Sequence, residues 1–275
     1  MRKELVAQKD PKSPISEIFR TLRTNIQFMN TKNTLKTLLI TSTMPSEGKT
    51  WIASNLAITF AQAGKRVALV DCDMRKGRLH KMFQLNSVPG LSNYLSGIDE
   101  TGKVDNDNIN KYIQRTEVEN LYLIATGNVP PNPSELLASE KTNTLLEILK
   151  QNFDIIILDG TPCQLVTDSI ILSRIVDSTL LIAEHKETKK DALEKVKRSI
   201  ENVGGKIAGV VINKVPVNIQ KYKSTYYYSS SDRNIERRIN SIATVFEKEN
   251  IRQEKTDEII KQLDEYINKK KDNNV

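Results

Sequence analysis

Ser42-Thr43-Met44-Pro45-Ser46-Glu47-Gly48-Lys49-Thr50 decides the fold of this chain. It follows the apolar run Leu38-Leu39-Ile40 and precedes an amphipathic segment, an order that predicts strand, phosphate-binding loop and helix. In such a Walker A loop, backbone N–H groups and the positive end of the next helix surround phosphate oxygens. Ser46, Glu47, Gly48, Lys49, Thr50 and Trp51 are therefore the expected nucleotide contacts. Lys49 reaches the β- and γ-phosphates, and the Thr50 hydroxyl ligates Mg²⁺. Thr43 occupies the place of the first glycine in the strict G-x-x-x-x-G-K-[ST] form.

Working outward, apolar β-branched runs recur at Leu38–Thr41, Val67–Asp71, Leu121–Ala125, Ile155–Asp159, Thr179–Ala183 and Ile207–Ile212. They read as buried strands, and continuous rather than alternating apolarity implies a mainly parallel sheet covered on both faces. The expected fold is thus α/β, doubly wound, with the sheet flanked by helices. Ligands of such sheets sit at the carboxyl ends of the strands, where the Ser42 loop, Asp71 and Asp159 all fall. Gly97 to Asn120 is polar and reads as a surface excursion. Gly127 to Pro133 must be irregular because of its prolines, and Ser134 reads as the N-cap of a short helix through Leu137.

The expected domains are a nucleotide-binding domain over 1–213, a tyrosine-rich segment over 214–232 and a charged, helical tail over 233–275. In that tail Ile235, Ile239, Ile242 and Phe246, and then Ile259, Leu263 and Ile267, keep helical spacing. A hydrophobic content of 38% with 27% charged residues indicates a globular protein. No apolar run approaches the ~18–20 residues that span a bilayer. The N-terminus lacks the apolar core of a signal peptide, so a cytoplasmic chain is expected. Cys72 and Cys163 suit a reducing compartment better than a disulfide. The formal charge of +7 permits anionic partners, but no recognition motif supports nucleic acid.

Val67-Ala68-Leu69-Val70-Asp71-Cys72-Asp73 ends a buried strand with two carboxylates, which a Mg²⁺–nucleotide site would compensate. Ile155-Ile156-Ile157-Leu158-Asp159 is a Walker B pattern, in which the strand-end Asp holds the Mg²⁺ shell. Tyr222, Tyr226, Tyr227 and Tyr228 lie among Lys and Ser outside any helix or strand pattern. They offer phenol acceptors for phosphoryl transfer. Glu17, Arg20 and Arg23 share one helix face through their i, i+3, i+6 spacing.

ITSTMPSEGKT, VALVDCDMR, GLSNYLSG, PPNPSELL, IIILDGTPC and EIFRTLR together resemble the bacterial tyrosine kinases of capsule and exopolysaccharide synthesis. The form resembled is the one in which the cytoplasmic kinase is a separate chain. That resemblance implies a P-loop NTPase fold of the MinD/ParA-like variant and an ATP- and Mg²⁺-dependent tyrosine autokinase. It implies Asp71 as the base for the tyrosine hydroxyl, Asp73 and Asp159 as Mg²⁺-holding carboxylates, and Asn213 as an adenine contact. It further implies that Glu17, Arg20 and Arg23 join subunits into a ring, an octamer. Within it Tyr222, Tyr226, Tyr227 and Tyr228 of one subunit are phosphorylated by the next. A separate membrane-embedded activator is expected to recruit the chain to the inner face of the membrane.

The sequence departs from the family pattern in Gly160-Thr161-Pro162, in Gly77, and in the tail after Asp232; both glycine changes are expected to loosen a loop near the site. The rival reading is a ParA/MinD-type ATPase switch. Its signature lysine is absent here, where Met44 stands.

Overall fold

The computed structural model describes residues 5–29, 35–98 and 108–216. Helices α1 (Val6–Lys9) and α2 (Pro14–Phe28) precede strand β1 (Thr37–Ser42), which leads through the phosphate loop into α3 (Lys49–Gln62). Then come β2 (Val67–Asp71), the short helices α4 (Leu79–Phe83) and α5 (Leu91–Ser96), and a 3-10 turn at Ile109–Lys111. β3 (Gln114–Arg115), β4 (Leu121–Ile124), α6 (Pro133–Ala138) and α7 (Glu140–Asn152) follow. The series ends with β5 (Ile155–Pro162), α8 (Asp168–Ile175), β6 (Ser178–Glu184), α9 (Lys190–Asn202) and β7 (Ile207–Asn213).

These strands form one seven-stranded sheet in the order β3-β4-β2-β5-β1-β6-β7. Every pairing is parallel except β3 with β4. The central strands β1, β2 and β5 are buried over almost their whole lengths, the expected result of apolar runs covered by helices on both faces. One core layer packs α1, α2 and α3 on the sheet through Leu38, Ile40, Leu56 and Leu69. The other packs α5 to α8 on it through Leu39, Val70, Leu146 and Ile156. All six expected strands are present. Among the described residues no helix is long and apolar enough to cross a membrane.

Three local expectations are corrected. α3 is not amphipathic: every residue from Ile52 to Ala61 is buried, because α1 and α2 cover its outer side. Ser54 and Thr59 are satisfied within the helix, donating to the Thr50 and Leu56 carbonyls, and Asn55 Oδ1 accepts from the Ala7 N–H of α1 at 2.9 Å. The stretch before β4 is more than a surface excursion, since Gln114–Arg115 adds an antiparallel edge strand and Tyr112 is buried against Tyr94. Ser134 is not the N-cap of α6. Asn132 holds that position, Pro133 takes the first helical turn, and the Ser134 hydroxyl points to Asp168 instead. The tyrosine cluster and the expected tail helices lie outside the described residues.

Candidate active site

The parallel arrangement delivers three strand ends to one rim. β1 ends at Ser42 and turns into the phosphate loop, where Ser46 and Gly48 both take positive φ, 68° and 95°. Gly48 is required there, since a Cβ would collide with the Asn213 side-chain amide packed on it. The first intrahelical bond of α3 runs from the Ile52 N–H to the Gly48 carbonyl at 3.0 Å. The N–H groups of Lys49, Thr50 and Trp51 therefore have no partner within the helix and are directed at the loop, as an anion-binding helix end demands.

Glu47 sets the shape of this loop from inside. Its carboxylate, 4% exposed, accepts from the Thr43 hydroxyl at 2.7 Å and the Met44 N–H at 2.9 Å. The Thr188 hydroxyl, on the segment between β6 and α9, is a further donor to it. Asn213 Nδ2 donates to the Glu47 carbonyl at 2.8 Å. Asn213 thus braces the loop, in addition to the adenine role expected of it.

Asp71 on β2 and Asp159 on β5 are register partners on adjacent strands, and both are buried. Burial, and next the Asp159 charge, push the Asp71 carboxyl well above the usual carboxylate range, against the Leu79 N–H that favours its charged form. Burial likewise raises Asp159, to about 6, although Lys49 and Thr50 act to lower it. Lys49 Nζ lies 3.2 Å from Asp73 Oδ2. Burial alone would lower the Lys49 pKa, but Asp159, Asp73 and Asp71 overcome it and hold the ammonium charged. Asp73 is placed by a tight turn in which the Lys76 N–H donates to its Oδ1 at 2.9 Å and to its carbonyl at 3.2 Å.

Three carboxylates thus converge on one ammonium, an excess of negative charge that a polyphosphate cannot join without a cation. Both Asp159 oxygens are buried without a hydrogen bond of ordinary geometry. Buried acceptors left in this state are rare and costly, and a Mg²⁺ shell would satisfy them. No group of His, Cys, Asp and Glu among the described residues could hold a metal by itself. Mg²⁺ keeps waters and phosphates as ligands beside few carboxylates. The donor set fits Mg²⁺–nucleotide.

Gly77 and Gly160 do not loosen loops, as the sequence suggested. Gly160 lies inside β5, where a Cβ would strike Ser169 and come 3.0 Å from Leu39 Cδ1. At Gly77 a Cβ would come 2.7 and 2.9 Å from the Asp71 oxygens. Both glycines are close-packing positions, and Gly77 packs directly on the Asp71 carboxylate.

The other expected residues are distributed as follows. The Trp51 ring leaves the phosphates and packs edge-on against Phe19 of α2, with centroids 5.1 Å apart. Arg20 pairs with Glu17 within α2 and also donates to the Pro11 carbonyl at 2.6 Å. Arg23 Nη1 reaches the Thr59 carbonyl of α3 at 2.8 Å. Tyr222, Tyr226, Tyr227 and Tyr228 fall outside the described residues. Sequence reasoning missed Thr188, Ser134 and Asp168, which meet the site only through the fold; the one available signal was PPNPSELL, which contains Ser134.

Comparison with known proteins follows the same direction. The CobQ/CobB/MinD/ParA nucleotide binding domain family matches residues 38–255. The chain is 40% identical to CapB of Staphylococcus aureus over 228 residues, 83% of this chain and 96% of that protein. It is 33% identical to the tyrosine-protein kinase YwqD of Bacillus subtilis over 232 residues, 84% of this chain and 94% of that one. The crystal structure of the chimerical protein CapA2B2 superposes with a TM-score of 0.72 at 36% identity, covering 79% of this chain and 92% of the other. Within that nucleotide-binding family, this chain belongs to the bacterial tyrosine-protein kinases.

Proposed function

We propose that this kinase uses Mg²⁺–ATP to phosphorylate its own C-terminal tyrosines, between neighbouring copies, and thereby regulates capsule or exopolysaccharide synthesis and export. The observation that carries this reading is the buried Asp71–Asp159 pair beside Lys49, with neither Asp159 oxygen in a hydrogen bond of ordinary geometry. Buried, perturbed carboxylates clustered at the mouth of a phosphate loop support a site that a cationic ligand completes.

Bound Mg²⁺–ATP supplies the phosphoryl group and the positive charge that this cluster lacks. Thr50, Asp73 and Asp159 would hold the ion, and Lys49 would bind and orient the phosphates. Ser46, Glu47, Gly48 and the N–H groups at the start of α3 cradle them. Asp71 takes the proton from the incoming tyrosine hydroxyl, a role supported by its raised proton affinity. Asn213, at the end of β7 and packed on the loop, contributes to the adenine side.

Glu17, Arg20 and Arg23 form the contact that closes copies into a ring, an octamer. Tyr222, Tyr226, Tyr227 and Tyr228 of one copy enter the site of the next, and the charge added by phosphorylation opens the ring. A membrane-embedded activator recruits the chain to the cytoplasmic face of the membrane and completes the site. The chimerical nature of CapA2B2 supports a two-component arrangement. The switch reading loses support at Met44, which stands where its signature lysine belongs.

Mixing two inactive variants tests the trans reaction. One chain carries Lys49→Met with its tyrosines intact; the other carries Phe at 222, 226, 227 and 228 with its site intact. With Mg²⁺–ATP and the activator's cytoplasmic segment, phosphotyrosine is expected on the Lys49→Met chain. A mixture that stays unlabelled while wild type labels itself would overturn trans transfer.

A further inference from the structure

Asp168, the first residue of α8, is fully buried yet does not cap its helix. Its Oδ1 accepts from the Ser134 hydroxyl at 2.5 Å and from Arg75 Nη2 at 3.3 Å, while its Oδ2 accepts from Arg75 Nε at 3.1 Å. Arg75 Nη2 also lies 3.3 Å from Ser134 Oγ. One buried carboxylate thus joins three elements: the turn after β2, helix α6 with its PPNPSELL motif, and the helix that follows β5.

We propose that Arg75, Asp168 and Ser134 form a latch that positions the Asp73 turn against β5, and so sets Asp73 relative to Asp159, the two carboxylates that would hold Mg²⁺. The argument starts from where Arg75 sits. The turn closes from Asp73 to Lys76, with Met74 buried beneath it, so Arg75 occupies its outer corner. Fixing the corner by a two-pronged guanidinium–carboxylate pair fixes both the angle and the height of the turn. A simple tether would have needed only a lysine. Asp168 rides on α8, whose preceding strand carries Asp159, so the latch spans the two carboxylate-bearing elements directly. Ser134 supplies the third bond to a carboxylate that burial would otherwise destabilise. This gives PPNPSELL a role: it reaches the metal side of the site through Ser134.

Arg75, Asp168 and Ser134 are positioning residues and touch no substrate. The inference rests on the assignment of Asp73 and Asp159 to Mg²⁺, so the test separates the two. Binding of a fluorescent N-methylanthraniloyl-ADP to the full-length chain is measured in MgCl₂ and in EDTA. In wild type, Mg²⁺ tightens binding, and Asp73→Asn removes that gain. Arg75→Lys keeps the charge and loses the fork. It is expected to reduce the gain about 10-fold or more, the usual effect of removing a partner behind a metal ligand, without changing the affinity in EDTA. Asp168→Asn should behave alike; if it does not fold, Arg75→Lys decides alone. Equal losses in both media would mean a purely structural pair and overturn the latch, as would an Arg75→Lys chain with the full gain. A gain that survives in Asp73→Asn, or that wild type never shows, overturns the ligand assignment and the latch with it.

Discussion

Asp71 and Asp159 face each other in register across β2 and β5, two buried carboxylates on neighbouring strands with Lys49 as the nearby cation. Like charges set side by side in a sheet oppose its stability. This repulsion opposes the folded state of the nucleotide-free protein, and a bound cation would offset it.

Replacing Asp159 by Asn removes one charge of that pair. At neutral pH, in EDTA and without nucleotide, Asp159→Asn is expected to be more stable than wild type by about 1 kcal/mol, while losing phosphorylation. The sign with pH follows from the raised carboxyl. The Asp159 contribution to wild-type stability is complete below the ordinary Asp range and is lost as pH rises through about 6. The advantage of the variant should therefore shrink as the pH falls below that value. Thermal melts of both proteins between acid and neutral pH measure it.

Gly77→Ala places a methyl against the Asp71 oxygens and Thr126. Overpacking of this kind costs about 1–3 kcal/mol, and the shift of Asp71, the proposed base, should lower phosphorylation by an order of magnitude or more. Urea denaturation together with initial rates separates the two effects; an alanine variant with normal rates would remove Gly77 from the account of Asp71.

Thr188→Val deletes a donor to the buried Glu47 carboxylate. The loss should be about 1–3 kcal/mol of stability, since the acceptor stays buried. Nucleotide should bind more weakly because the loop is less constrained. Calorimetric titration with ADP reads the second effect, and Thr188→Ser should restore most of both.

The parts of this structure that were legible in the sequence share one property: their cause is local. Leu38–Ile40, Val67–Val70 and Ile155–Leu158 are strands because their apolar, β-branched runs leave little alternative. The phosphate loop was visible because its chemistry sits in consecutive residues. β3 was not, for Gln114–Arg115 is short and polar and pairs only because β4 offers an edge. α3 looked amphipathic because its outer covering, α1 and α2, comes from a different part of the chain. Ser134 reads as a cap on local grounds, and the competing pull of Asp168, 34 residues further on, has no signature in the sequence. The same holds for Thr188, 141 residues from Glu47.

Arg20→Ala combined with Arg23→Ala tests the ring. The exposed Glu17–Arg20 pair contributes only a few tenths of a kcal/mol within α2, so most of the fold should survive. Wild type is expected to sediment as the proposed ring, and the double variant as smaller species. A variant that still assembles would assign the ring contact to other residues.

The most direct test of the central claim is peptide mass spectrometry of the full-length chain incubated with Mg²⁺–ATP, with and without the activator's cytoplasmic segment. Lys49→Met serves as the control. Phosphate on Tyr222, Tyr226, Tyr227 or Tyr228 that disappears in Lys49→Met is the expected result. ATP hydrolysis with no phosphotyrosine, even with the activator segment present, would contradict the kinase account and favour a nucleotide switch.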